Sequence, residues 1–291
     1  MTPPRTIALL EAHKMLTDYF QRQGVESSRL CSEIIISKTL GLNRIDIYAL
    51  HDRPVTTQEL DDIRAMGKRV AGGEALQLVV GDCQFFSYFF KVEKGVFIPR
   101  PETETLVEAG TNELRNAVSD DGAAILDLCC GCGVAGITLL KFLESASCTA
   151  VDISPLAAEL TKDNAERLGV SDRLSVFQGD LYDPLDASAR FDAIVANPPY
   201  IPTYDILIVE PVVRDNDPNT ALDGGADGLD VVRRVITGAP DRLREAGFLA
   251  MEIGAGQAAE VESLMKDAGF GRTAVKKDLC GIDRVITGWL E

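Results

Sequence analysis

Between residues 122 and 291, apolar runs of strand length alternate with amphipathic stretches of helix length, and few folds accept that order. Residues 123–128, 148–153, 174–177, 191–196 and 248–253 read as buried strands. Residues 134–143, 155–168, 229–243 and 257–268 read as the helices between them, and two strands near Ala274 and Val285 close the chain. Pro155 falls in a first helical turn, where its missing N–H removes nothing. The pattern predicts an α/β fold with a doubly wound, mostly parallel sheet. Such a sheet binds its ligand outside the carboxyl ends of the strands, near the point where strand order reverses. The residues that follow each strand are therefore the first place to look for chemistry.

The first 73 residues have a different texture. Leu9, Ala12, Leu16, Tyr19 and Phe20 recur at helical spacing, and Gly24 supplies a stop. Ser27 and Ser28 offer caps to a second helix carrying Leu30, Ile34 and Ile35, which Gly41 ends. Thr56 and Glu59 have capping-box spacing ahead of Leu60, Ile63 and Val70, and Gly72-Gly73 closes that helix. From Leu76 to Phe97 the pattern turns to β: residues 76–80 and 85–90 flank Gly81-Asp82, and Glu93-Lys94-Gly95 makes another turn. The expected organisation is a small helical domain over residues 1–73, a β-hairpin linker over 74–98, and the doubly wound domain over 99–291.

Charge narrows the partners. Residues 1–70 carry a net +1 and the rest −17, which together make the −16 of the chain. So negative a surface repels phosphate backbones, so no direct nucleic-acid binding is expected, and a protein or small molecule is the better partner. No apolar run approaches the ~20 residues of a membrane span. The opening Met1-Thr2-Pro3-Pro4-Arg5 leads to Glu11 and Lys14 rather than to the apolar core of a signal peptide, so a soluble cytoplasmic protein is expected. Seven cysteines in no regular framework read as reduced thiols. Only His13 and His51 are present, which leaves the larger part of the chain without a histidine base and without ligands for a histidine-rich metal site. No metal is expected, and both histidines read as packing or surface residues.

The first strand ends in Asp127-Leu128-Cys129-Cys130-Gly131-Cys132-Gly133-Val134-Ala135-Gly136. Read literally, Gly131, Gly133 and Gly136 make a GxGxxG, and Asp152 closes the next strand. Two cofactors compete for such a loop. A pyrophosphate wants a helix N-terminus with no anion beside it, and Asp127 stands there. S-adenosylmethionine brings an ammonium and a sulfonium instead, which suit an acid. Asp152 can accept from ribose hydroxyls in either case. Gln178-Gly179-Asp180-Leu181 follows the third strand and offers a second acid to an adenine amino group. Cys129 and Cys132 also form a C-x-x-C, but the glycines and Asp127 account for the loop without redox chemistry.

Asn197-Pro198-Pro199-Tyr200 follows the strand over 191–196. Two prolines stiffen the turn, so the Asn197 oxygen and the Pro198 carbonyl are fixed acceptors. Together they can grip the two hydrogens of an NH2 group and aim its nitrogen at an electrophile, which is catalysis by positioning. Tyr200 can pack on a planar amide or base.

These motifs resemble the class I S-adenosylmethionine-dependent amino-methyltransferases. Phe97-Ile98-Pro99-Arg100-Pro101-Glu102-Thr103-Glu104, the run 221–229 and the run 278–284 are similar to those of the PrmC/HemK-type protein-(glutamine-N5) methyltransferases. The resemblance runs from about residue 7 to the end. It implies methyl transfer to the glutamine of a Gly-Gly-Gln loop in peptide chain release factors. Separately, the distinct core and charge of residues 1–70 predict that the helical domain supplies a second, substrate-docking surface, and a monomer is expected. The resemblance also implies cofactor contacts from Phe97, Arg100, Asp127, Cys129, Cys130, Gly131, Cys132, Gly133, Asp152, Asp180, Leu181 and Asn197. The substrate amide falls to Asn197, Pro198, Pro199 and Tyr200. The loop departs from the family's Asp-Leu-Gly-x-Gly-x-Gly at its first glycine, where Cys129 stands, and Ala75-Leu76-Gln77-Leu78 replaces the usual Pro-Leu-Gln-Tyr.

Three other readings have discriminating features. A methyltransferase for a ribosomal-protein glutamine is expected to lack the Pro-Glu-Thr-Glu run after Arg100. An adenine-amino DNA methyltransferase needs a basic groove, against the −17 of residues 71–291. A nicotinamide dehydrogenase leaves residues 197–200 without a role and puts Asp127 beside a phosphate.

Overall fold

The computed structural model describes residues 7–117 and 122–290. The opening Met1–Arg5 stretch, and with it the start of the expected helical domain, lies outside the described residues. The chain forms two compact units, Met1–Asp82 and Cys83–Glu291, so the division falls inside the 74–98 stretch assigned to the linker.

In the first unit, helices Leu9–Arg22, Ser28–Leu40 and Thr57–Ala71 enclose a core that includes Leu9, Leu16, Phe20, Ile35, Ile36 and Ile63. Thr56 caps its helix as its spacing predicts: its side chain accepts from the Glu59 N–H, and the Glu59 carboxylate accepts from the Thr56 N–H at 2.8 Å. Ser27 does not cap with its side chain; it enters the second helix in the left-handed region, at φ 47°. His51 is exposed and His13 is buried, bonded through Nδ1 to Ser32 Oγ at 2.9 Å.

Residues 76–80 correct the β reading: Leu76–Val80 is a short helix that ends at Gly81. Leu76, Val79 and Val80 have i, i+3, i+4 spacing, and all three pack on the helical core, so a strand that splits them between two faces would forfeit that burial. Strand pairing begins later, between Asp82–Phe85 and Tyr88–Lys91.

The second unit is built on seven strands: β1 Ala124–Leu128, β2 Ser147–Asp152, β3 Leu174–Gln178, β4 Phe191–Ala196, β5 Leu243–Glu252, β6 Phe270–Lys277 and β7 Asp283–Leu290. Their order is β6-β7-β5-β4-β1-β2-β3, with β7 antiparallel to both neighbours and the others parallel. This is the doubly wound sheet that the alternation predicts. Strand order reverses between β1 and β4. Leu126, Leu128, Ile194, Leu249 and Met251 pack with Val232, Val235 and Ile236 of helix Asp230–Gly238 and with Val261 and Met265 of helix Ala258–Asp267. The helix expected over 229–243 stops at Gly238, because Pro240 cannot continue it and the chain at Leu243 is already in β5. Among the described residues no helix is long and apolar enough to cross a membrane.

Glu33 shows how the first unit holds a buried charge. Burial pushes its carboxyl up, but bonds from Tyr48 at 2.5 Å, Arg44 at 2.5 Å and Arg29 at 2.9 Å more than offset this and hold it at about 2. A carboxylate held below its usual 4.5 stabilises the fold above that pH and loses the contribution as pH falls toward 2. Glu33→Gln is predicted to cost about 1.5–3 kcal/mol at neutral pH, the worth of hydrogen bonds to a charged group. Urea unfolding should show that difference vanishing in acid; a difference independent of pH would contradict the assignment.

Candidate active site

The carboxyl ends of β1, β2, β4 and β5 open into one cavity of about 1120 Å³. Of the residues assigned to the site from sequence, all line this cavity except Gly133. Gly133 has φ 86° and caps helix Val134–Phe142 from outside the cavity. A Cβ there would stand 2.8 Å from Ile137 and 2.9 Å from Thr161, so its role is to let the turn pack.

The loop after β1 is clamped from both sides. Asp152 accepts from the Gly131 N–H at 2.8 Å and from the Ser154 N–H at 2.9 Å, which fixes its carboxylate at the cavity wall. Thr161 Oγ1 donates to the Gly131 carbonyl at 2.9 Å, and Asn164 Nδ2 donates to the Cys132 carbonyl at 2.9 Å. Neither Thr161 nor Asn164 belongs to a motif; both lie on helix Pro155–Leu168, and only the folded geometry reveals them. Gly131, at φ 59°, has nothing within 4 Å of where a Cβ would be, so the loop leaves an open cradle there.

Asp127 faces the neighbouring helix and accepts from the Gly136 N–H at 2.8 Å. A Cβ at Gly136 would come within 2.9 Å of that carboxylate and of Cys148 Sγ, which explains the glycine. Burial pushes the Asp127 carboxyl up to about 7, the Gly136 bond opposes the rise and Asp152 adds to it. Burial also raises Asp152. Asp127 and Asp152, with no Lys or Arg over residues 127–133, fit a cationic cofactor and oppose a pyrophosphate. Asp180 pairs with Arg234 at 2.9 Å, and Leu181 beside it is buried with φ 49°.

Burial pushes the Cys129, Cys130 and Cys132 thiols up, away from the lowered values that mark reactive cysteines. Among the described residues no cluster of His, Cys, Asp or Glu could hold a metal.

At the reacting end, Asn197 Nδ2 donates to Thr103 Oγ1 at 3.3 Å, and Thr103 Oγ1 donates to Glu252 Oε2 at 2.7 Å. Tyr200 donates its hydroxyl to Glu252 Oε1 at 3.1 Å. Gln257 Nε2 braces the turn by donating to the Tyr200 carbonyl at 2.9 Å. Gly228 packs beneath it, where a Cβ would stand 2.3 Å from the same oxygen. Arg100 pairs with Asp217, whose other oxygen accepts from the Ile98 N–H at 2.8 Å, and its guanidinium lies over the Phe97 ring. Thr103 lies in the Pro-Glu-Thr-Glu run, but its bond to Glu252 does not show in that run; Glu252, Gln257 and Asp217 lie in no motif, and each acts across a long stretch of chain.

The "PrmC N-terminal domain" family matches residues 11–81, and the "Methyltransferase small domain" family matches residues 88–215. A release factor glutamine methyltransferase from Geobacter sulfurreducens is 40% identical over 270 residues, 93% of this chain and 92% of that protein. One of the same name from Chlorobaculum tepidum is 33% identical over 98% of both chains. Among solved structures, a T. thermophilus 16S rRNA N2 G1207 methyltransferase in complex with AdoMet and guanosine has a TM-score of 0.55. It is 20% identical, and the match covers 72% of this chain and 50% of that one. That likeness is one of fold.

The cofactor loop carries a local strain. Cys129 has φ 57°, a left-handed backbone that costs an L side chain roughly 1–2 kcal/mol. Cys129→Gly removes that strain but gives flexibility back to the unfolded chain, at about 0.4–1 kcal/mol. The expected net is a stabilisation of about 0.5–1 kcal/mol with activity retained or raised. A fall in Tm, or lost activity in the folded variant, would show that the thiol contributes more than its backbone costs.

Proposed function

The chain belongs to the release factor glutamine methyltransferase family, and we propose that it methylates the side-chain amide nitrogen of the glutamine in the Gly-Gly-Gln loop of peptide chain release factors. The observation that carries the reading is the pairing of sites. A cradle walled by acids after β1 and β2 and a rigid amide grip after β4 open into the same cavity.

When bound, S-adenosylmethionine supplies a methyl group on a positively charged sulfur. The residues around the cradle fit it. Asp152, fixed by two backbone N–H groups, keeps lone pairs for ribose hydroxyls. The backbone from Cys129 to Gly133 would hold the ligand, with Gly133 shaping the turn. Asp127 would favour its ammonium, Asp180 and Leu181 would take its adenine end, and Phe97 and Arg100 line the same cavity.

An amide nitrogen is a poor nucleophile, because its lone pair is delocalised into the carbonyl. Asn197 Oδ1 and the Pro198 carbonyl accept its two hydrogens, hold the lone pair toward the methyl carbon and favour the pyramidal nitrogen of the transition state. Pro199 stiffens the grip, and Tyr200, tied through its hydroxyl to Glu252, packs on the amide plane. Bound S-adenosylmethionine would supply the methyl carbon and keep the S–C electron pair on sulfur, while Asn197 Oδ1 and the Pro198 carbonyl hold the nitrogen as it gives up one proton to water.

In this reading the helical unit supplies a second contact surface for the release factor, and the enzyme works in the cytoplasm as a monomer without touching nucleic acid. The −16 net charge supports that last point.

The test is incubation of the protein with labelled S-adenosylmethionine and purified release factors, followed by mapping of the modified residue. Label is expected on the Gly-Gly-Gln glutamine; label elsewhere, or none, would refute the reading. Asn197→Ala should lower single-turnover methylation about 10²–10³-fold, the scale of losing one preorganised transition-state contact. A rate near wild type would remove Asn197 from the chemistry.

A further inference from the structure

Glu252 belongs to no motif, yet it is only 1% exposed, at the last residue of β5. A carboxylate so placed is costly unless its oxygens are paired. Both are: Thr103 Oγ1 donates to Oε2 and the Tyr200 hydroxyl donates to Oε1. Both partners lead to the amide grip, Tyr200 directly and Thr103 through its bond from Asn197.

We propose that Glu252 and Thr103 are positioning residues that set the polarity of Asn197, so that its oxygen rather than its NH2 meets the substrate amide. The inference rests on the reading of the site as an amide N-methyltransferase.

A threonine hydroxyl has one proton. An ionised carboxylate only accepts, so Thr103 must donate to Glu252, and toward Asn197 it can then only accept. That orients Asn197 with Nδ2 on Thr103 at 3.3 Å and leaves Oδ1 for the cavity that Asn197 lines. With a neutral group at 252 the relay can run backwards. An acid O–H or an amide N–H donates to Thr103, Thr103 donates to Asn197, and the amide turns its NH2 to the cavity. Two NH2 groups then face each other and the grip is lost. No proton crosses the relay during methyl transfer; its work is orientation.

Three charged or titratable groups bear on Glu252. Tyr200 bonds it from the turn after β4, Glu102 acts from the Pro101–Thr103 turn, and Arg284 acts from β7, itself bonded to Asp278. Burial pushes the Glu252 carboxyl up to about 7; Thr103, Tyr200 and Arg284 pull it down, and Glu102 adds to the rise. The ionised form that the relay needs is gained as pH rises through neutrality and lost below it.

The experiment measures kcat, KM and S-adenosylmethionine affinity for the full-length enzyme with a release factor, from about pH 5.5 to about pH 9. Wild type, Glu252→Gln, Thr103→Val, Thr103→Ser and the Gln/Val double variant are compared. In wild type, kcat should fall as pH drops through about 7. Glu252→Gln should lower kcat by at least about tenfold, the worth of one hydrogen bond, and flatten that limb without weakening cofactor binding. Thr103→Val should lose a similar factor, Thr103→Ser should restore most of it, and the double variant should be no worse than the worse single one. If Glu252→Gln does not fold, Thr103→Val breaks the relay from a different segment. Folded single variants at wild-type kcat, or losses that multiply in the double variant, would overturn the relay. A wild-type protein that methylates no glutamine would overturn the function itself.

Discussion

Parallel pairing of β1 with β4 is the interaction on which the rest of the site depends. Their register sets Leu128 opposite Ala196, so Cys129 and Asn197 are the next residues on adjacent strands running the same way. One chain leaves into the glycine loop and the other into two prolines. Strand order reverses at this pair, and the crossing chains part to opposite sides and leave a crevice between them. The two loops proposed to hold methyl donor and methyl acceptor are therefore fixed side by side by backbone hydrogen bonds, before any side chain contributes.

Side chains then supply sign and orientation. Asp127 is buried, Asp152 is partly buried at the cavity wall, and burial raises both, so negative charge at the loop is costly without an opposite charge beside it. Backbone N–H groups from Gly131, Ser154 and Gly136 partly meet that cost. At the other loop, the prolines remove flexibility but cannot decide which end of the Asn197 amide faces the cavity. That choice falls to neighbours brought in from β5 and from the segment after Arg100.

What could be read from the sequence was what local physics decides. Thr56 and Glu59 lie three residues apart, and their reciprocal bonds form as that spacing requires. The strand and helix order survives almost intact because each apolar run is long enough to show its period. The run over 76–80 is not: four apolar residues around Gln77 fit either period, and only the helical core decides between them. Thr103 and Glu252 are 149 residues apart, and Arg100 and Asp217 are 117 apart. Such pairs leave no trace in spacing, because the sheet brings them together. Gly133 marks the converse limit: its motif was legible, but whether the residue touches a ligand or merely permits a turn depends on which way the loop faces.

In the proposed site the substrate nitrogen sits between the Asn197 oxygen and the Pro198 carbonyl. A crystal structure of the protein with S-adenosylhomocysteine and a Gly-Gly-Gln peptide tests this directly. The glutamine NH2 is expected within hydrogen-bond reach of both oxygens, with Asn197 Nδ2 still on Thr103 and the lone pair facing the sulfur. A glutamine amide bound elsewhere in the cavity, or an Asn197 that presents its NH2 to it, would contradict the claim.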